Sequence, residues 1–461
     1  MSQARLGTLQ GRGVLLAAVL GSGMAFLDAT AVNVVLPTLE RELGTGMAGL
    51  QWTVDAYLLT LSAFLLLGGS LGDLFGQRRM FVIGVTWFAV ASAVCGLVST
   101  TLGLSVARAI QGVGAAILVP GSLAVLRTSI AKEDQGAAIG AWAGLSGVTT
   151  AAGPLLGGWL VQSVSWRAIF FLNLPLGAVA IWAALRFLSA SPGRGGVRLD
   201  VAGATAAAVG IGGVTFALIE GPARGWPLPA LGAAVLGLGA LVAFVPLERR
   251  AAPMLPLSLF RSHTFTAANL TTLTVYAGLG SAMFLLAITL QQALGYSPLA
   301  SGAALLPVTL LLLVLSPSAG RLSQRFGPRI PLSVGPAVVA VGLLLFLRVR
   351  LNGDYFKDVF PAVLVFALGL AVTVAPLTAA VLSAVDTAYA GIASGVNNAV
   401  ARLASLLGVA AVPWGAGLSG LSDRLAPQVL VAGFHRAMVL CAVLALIGGA
   451  VAAVGIRPDG R

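Results

Sequence analysis

Gly69-Ser-Leu-Gly-Asp-Leu-Phe-Gly-Gln-Arg78 and Gly320-Arg-Leu-Ser-Gln-Arg-Phe-Gly-Pro-Arg329 are two versions of one decapeptide, 251 positions apart. Gly69/Gly320, Leu71/Leu322, Phe75/Phe326, Gly76/Gly327 and Arg78/Arg329 are identical. Each copy sits between two apolar runs of about 20 residues, the length that crosses a bilayer. A short basic hairpin at equivalent places in two hydrophobic halves reads as an internally duplicated membrane protein. Such duplicated folds are typical of secondary transporters, whose sites lie between the repeats.

Of the 461 residues, 58% are hydrophobic and 9% charged, with a mean hydropathy of +0.98. A soluble domain carries about 25% charged residues, so nearly the whole chain belongs in lipid. The net charge of +12 is distributed by loop: 17 Lys and Arg on one side, among them Arg78, Arg79, Arg127, Arg194, Arg198, Arg325, Arg329, Arg457 and Arg461, against 8 on the other, Arg424 included. That bias predicts a multi-pass protein of the cell membrane with both termini cytoplasmic. It also suits an anionic inner leaflet, and it argues against nucleic acid as a partner. Cys95 and Cys441 fall inside apolar runs and His263 and His435 are far apart, so neither a disulfide nor a metal site is expected. Lys132 and Lys357 are the only lysines and neither follows a glycine, which excludes a Gly-Lys-Ser/Thr phosphate loop. No cofactor and no enzymatic activity are expected.

Fourteen runs reach spanning length, and helices are the element that satisfies its own backbone in hydrocarbon. The predicted fold is an all-α polytopic membrane protein with the hairpin following helix 2 and, again, helix 10. Helices 9–14 then repeat helices 1–6. Residues 1–190 form one six-helix bundle, 191–260 two inserted transmembrane helices with linkers, and 261–461 the second bundle. The first run contains Asp28 and is read as a retained helix rather than a cleaved signal. The inserted runs, about 201–219 and 229–247, hold two threonines and no charge. They are expected at the lipid-facing edge, offering a polar substrate nothing.

An ionisable side chain inside a span costs at least about 2.5–3.5 kcal/mol and is functional by default. Asp28 in helix 1, Asp55 in helix 2, Arg108 in helix 4 and Arg402 in helix 13 meet that description. At 1.5 Å per residue, Asp28 lies about 12 Å deep and Asp55 and Arg108 about 8–9 Å. Three charges of the first half thus share a layer and are expected to form a titratable cluster. Burial and a neighbouring Arg act on a carboxylate in opposite directions, so Asp28 and Asp55 are expected to differ in protonation. A carboxylate that holds either a proton or a cationic substrate couples the two by competition; the alternative is a static ion pair joining helices 1, 2 and 4. Phe26, Tyr57 and Trp142, with Gln111, Asn397 and Arg402, are further candidates for the substrate cavity, whereas Trp52 reads as an interfacial anchor.

In the first hairpin Gly69 and Gly76 permit a tight turn. Asp73 ends helix 2, where the helix dipole disfavours a negative charge, so a partner such as Arg78, Arg127 or the N-terminus of another helix is expected. With Arg79 these residues make a candidate conformational gate. Gly153-Pro-Leu-Leu-Gly-Gly158 in helix 5 combines a proline kink with small residues: Gly153, Pro154, Gly157 and Gly158 allow a close neighbour.

With these pieces together, the chain resembles the major facilitator superfamily, specifically the fourteen-helix drug:proton antiporters of the EmrB/QacA type. Leu27-Asp-Ala-Thr-Ala-Val-Asn-Val-Val-Leu-Pro37 resembles that subfamily's helix 1 motif, and Gly69–Arg79 the superfamily's loop 2–3 motif. Arg108-Ala-Ile-Gln-Gly-Val-Gly114 resembles the helix 4 motif, whose Arg is implicated in proton transfer, and Gly153–Gly158 the antiporter motif. Two departures stand out: Thr149 where a glycine is usual, and Gln324 where the first hairpin has Asp73. The resemblance implies two bundles rocking around a central cavity, a monomer in contact with membrane lipids, and export of amphipathic, often cationic small molecules driven by proton entry. Proton-independent movement of a lipid or metabolite by the same fold is the alternative.

Overall fold

The computed structural model describes residues 4–189, 193, 199–250, 253, 255–386, 389–419 and 426–456. Arg194, Arg198, Arg424, Arg457 and Arg461, and the side chain of Gln324, lie outside the described residues. The elements are helical apart from an isolated bridge between Ala4 and Ile130. The first half runs α1 Leu9–Leu43, α2 Met47–Phe75, α3 Gln77–Leu97, α4 Thr101–Ser129, α5 Gln135–Ser163 and α6 Arg167–Phe187, the last interrupted at Leu172. An inserted hairpin follows, α7 Val201–Arg224 and α8 Leu228–Leu247. The second half runs α9 His263–Gln292, α10 Pro298–Ser323 with a break at Leu305, α11 Arg329–Arg348, α12 Tyr355–Ser383, α13 Ala390–Gly415 and α14 Pro427–Gly455. Thirteen of these helices are long and apolar enough to cross a membrane. The remaining one, α5, matches them in length at 29 residues, but seven glycines with Ser146, Thr149 and Thr150 make it less apolar.

Local chemistry sets the helix ends. Hydroxyl side chains of Thr8, Thr100, Ser262 and Ser297 accept from first-turn amides of α1, α4, α9 and α10, satisfying donors that have no intrahelical partner. The duplicated hairpins turn at Gly76 (φ 92°) and Gly327 (φ 77°), a region where a Cβ clashes and glycine does not. Their shared arginines also act alike. Arg78 Nη2 donates to the Leu185 carbonyl of α6 at 2.9 Å, and Arg329 Nε to the Ala453 carbonyl of α14 at 2.8 Å. Each guanidinium thus serves the last turn of the sixth helix of its half, where carbonyls are unpaired and the dipole is negative.

The cores show which side is closed. On the side opposite the termini, Leu36, Leu39 and Trp166 of the first half share one buried cluster with Leu285, Phe346 and Phe434 of the second. On the terminus side the cores separate, one built on Val14, Phe81, Leu126 and Ala184, the other on Phe265, Leu332, Leu377 and Ala452. Among the described residues of the second half, only Leu406 of α13 crosses fully buried into the first-half cluster. Two glutamines tie the closed side: Gln51 Nε2 of α2 reaches the Val409 carbonyl of α13 at 2.7 Å, and Gln291 Nε2 of α9 the Val34 carbonyl of α1 at 2.9 Å. Gln292 also bonds the Glu40 carboxylate.

The inserted pair corrects an expectation. α8 is exposed almost throughout, with only Ala230 and Gly237 buried, as a lipid-facing helix should be. α7 is not bland. It extends past residue 219 to a nearly buried Glu220, which accepts from Trp52 Nε1 at 2.8 Å and pairs with Arg224. Trp52 therefore docks α7, with Phe216 against its ring at 6.1 Å. At the other edge of the seam Trp226, just past α7, meets Trp414 of α13 at 5.6 Å.

Candidate functional site

Asp28 and Arg108 meet as the depth argument predicts. Both are buried, and Arg108 Nη1 lies 2.5 Å from Asp28 Oδ2. Gln111, one turn along α4, donates Nε2 to Asp28 Oδ1 at 3.0 Å and accepts from Arg108 Nη1 at 2.7 Å. Arg108 Nε reaches the Thr53 carbonyl of α2 at 3.1 Å, and the guanidinium lies over the Tyr57 ring at 4.3 Å. Every polar atom of Asp28 is satisfied, which is what burial of a charge demands. The arrangement is a closed network joining α1, α2 and α4.

Asp55 does not join it. The carboxylate is fully buried, and neither oxygen has a hydrogen-bond partner among the described residues. It follows Gln51 by four residues, so the two share a face of α2. Gln51 touches α13, which places Asp55 under the α2–α13 seam, one turn toward the terminus side. Thr215 of α7, next to the Phe216 that packs on Trp52, is likewise buried with its hydroxyl unpaired. Equal depth brought the three charges into one layer, but helix rotation separates them, and depth arguments carry no rotation.

The cavity candidates divide. Asn397 and Arg402 line a polar recess of about 200 Å³ in the second half with Tyr276, Thr378, Asn398 and Ser405. Asn397 Nδ2 is held by Thr272 Oγ1 at 2.7 Å and Asn269 Oδ1 at 3.2 Å. Arg402 reaches across to α1, its guanidinium 5.7 Å from the Phe26 ring. Tyr57 and Gln111 are instead buried within the first bundle, and Trp142 Nε1 clips α5 to α1 through Ser22 Oγ at 2.8 Å. A larger apolar recess, about 480 Å³, lies between α3 and α4 and offers no ionisable group, as suits a lipid-facing groove.

In the hairpin, Asp73 is exposed and accepts from Gln77 Nε2 at 2.9 Å, and no ion pair to Arg78 or Arg127 forms among the described residues. Arg79 is exposed. In α5 the motif glycines face two ways. A Cβ on Gly153 would lie 1.9 Å from Thr30 Oγ1 of α1, and one on Gly158 would lie 2.4 Å from the Pro298 carbonyl of α10. Pro154 is matched from the other side, since a Cβ on Gly302 would meet its carbonyl at 2.1 Å. Thr149 packs on Gly23, whose Cβ would sit 3.2 Å from its methyl: the side chain absent from α1 makes room for the one added to α5. Gln51, Glu220, Gln291 and Tyr276 were not singled out by sequence. Gln51 alone had a signal, an amide four residues before Asp55 in an apolar run.

Two pseudo-repeated six-helix bundles, closed together on one side and parted on the other with polar groups between them, define a polytopic membrane transporter. The sequence model of the Major Facilitator Superfamily matches residues 18–409, and the chain belongs to that superfamily. It is 35% identical over 407 residues to the multidrug resistance protein Stp of Mycobacterium tuberculosis, covering 86% of this chain and 74% of that protein. It is 36% identical over 409 residues to a methylenomycin A resistance protein of Bacillus subtilis, covering 87% and 86%. Among solved structures, a D-xylose-proton symporter superposes with TM-score 0.69 at 13% identity over 97% of this chain and 98% of that one, a likeness of fold.

Proposed function

We propose that the chain is a proton-coupled exporter of small amphipathic compounds, of the fourteen-helix drug:proton antiporter type. It works as a monomer in the cell membrane, with cytoplasmic termini and a proton gradient in place of any cofactor. The observation that carries this reading is Asp55. An unpaired carboxylate anion in a dry interior costs several kcal/mol, so closing the α2–α13 seam over Asp55 requires that it hold a proton. Opening that seam returns it to water. Closure on the side opposite the termini is thereby linked to proton uptake from that side, and net antiport requires that the proton leave Asp55 toward the terminus side before the seam reopens. Asp28, Arg108 and Gln111 hold α1, α2 and α4 together, so that α2 moves with its own bundle relative to α13. Relatives named for resistance to multiple drugs and to methylenomycin A support a toxic small molecule as cargo.

The test is a purified, reconstituted chain in proteoliposomes with an imposed proton gradient and an internal pH dye. Addition of a transported compound should partly collapse the gradient, and Asp55→Asn should abolish that response. Transport unaffected by the gradient would favour the proton-independent lipid or metabolite reading instead.

A further inference from the structure

We propose that the recess around Arg402 is an anion subsite, and that the cargo carries a carboxylate, phenolate or similar acidic group next to an aromatic or apolar body. This rests on the central cavity being the transport route, and it narrows the cargo in a direction the motifs alone do not. Arg402 projects between the bundles, and among the described residues it makes neither an ion pair nor a hydrogen bond. Its guanidinium lies over the ring of Phe26, and its charge also acts on the hydroxyls of Tyr57 and Tyr276. The recess it lines has no acidic residue. The two embedded carboxylates are both withheld from it: Asp28 is engaged by Arg108 and Gln111, and Asp55 is sealed under the seam. A cation entering here meets an arginine with nothing to neutralise it.

The rest of the lining fits an anion as well. The Tyr276 hydroxyl makes no hydrogen bond among the described residues and is free to donate into the recess. The exposed Asn398 amide gives one N–H to the Ser394 carbonyl and keeps the other as a second donor. Arg127 lies further toward the terminus side, with Nη1 3.5 Å from where a Cβ on Gly391 would stand, one turn before the Ser394 that lines the recess. A guanidinium in low dielectric binds an acidic group by charge-assisted, often bidentate hydrogen bonds. At about 200 Å³ the recess is smaller than the roughly 300–1,000 Å³ of a whole drug site. It holds the acidic end, leaving the apolar body against Phe26 in the cleft.

Two dyes on one xanthene frame separate the possibilities: fluorescein, an anion, and the methyl ester of rhodamine, a cation. Binding to the purified full chain is read by fluorescence polarisation, and efflux from proteoliposomes under a proton gradient. Wild type should prefer fluorescein; Arg402→Gln should weaken fluorescein about tenfold or more while moving the cation little or tightening it. Arg402→Lys should retain a good part of the affinity, and an unchanged melting temperature shows that the variants fold. Tighter binding of the cation by wild type, or an equal loss of both dyes in Arg402→Gln, overturns the proposal. Arg402-dependent fluorescein binding without gradient-driven efflux would uphold the subsite and sink proton-coupled export.

Discussion

The Val409 carbonyl of α13 receives its hydrogen bond from Gln51 of α2, at 2.7 Å. It needs one from outside its helix because the residue four positions on is Pro413, which has no amide proton to give. The bond exists only while the two halves meet. Gln51→Leu leaves that carbonyl unsatisfied, at a cost of about 1–3 kcal/mol, and shifts the open–closed equilibrium roughly 5- to 150-fold toward opening. An impermeant maleimide should then label a cysteine placed at the buried Leu418 faster by a similar factor. The native Cys95 and Cys441 are buried and give little background. Unchanged labelling would remove Gln51 from the seal.

Asp28→Asn strands Arg108 as a buried, uncompensated cation. Breaking a buried pair from one side costs about 3–5 kcal/mol, so the melting temperature in detergent should fall clearly. Asp28→Asn combined with Arg108→Gln should recover part of the loss. Strictly additive destabilisation in the double variant would show that the two do not act as a pair.

Asp55→Asn predicts the opposite stability effect. No hydrogen bond is lost, and a neutral amide replaces a group that burial disfavours when charged. Stability should hold or rise, while gradient-driven accumulation disappears and downhill exchange continues. A stability loss like that of Asp28→Asn would reveal a partner for Asp55 and weaken its coupling role.

Gly158→Val places a side chain where α5 and α10 leave no room. Overpacking costs about 1–3 kcal/mol, and it falls on the closed conformation alone. The protein should insert normally but transport poorly, with increased labelling of the cysteine at Leu418. Normal transport would mean that α5 and α10 never need to approach this closely.

How far the sequence could be read follows from what each signal encodes. The hairpins were legible because Gly76 and Gly327 occupy positive φ and Arg78 and Arg329 serve equivalent carbonyls; identical residues marked identical geometry. The Asp28–Arg108 pair was legible from depth, as two opposite charges in hydrocarbon must find each other. Asp55 was misplaced because depth does not report rotation about a helix axis. Glu220 was missed because it follows the apolar run by one residue, just where hydropathy stops counting. Asp73 was expected to meet an arginine or the N-terminus of another helix, and its partner is the side chain of Gln77, the first residue of α3.

α7 grips α2 through Trp52, while Trp226 at its end grips α13 through Trp414, and the α5–α10 contact on the other flank has no such cover among the described residues. The molecule therefore has a sheathed flank and a bare one. A solute dissolved in the bilayer would meet α7 and α8 on one flank and the α5–α10 contact directly on the other, an asymmetry toward the membrane that the duplicated halves lack. Nitroxide-labelled lipids should quench a fluorophore at Leu310 of α10 strongly and one at Leu59 of α2, beneath α7, weakly.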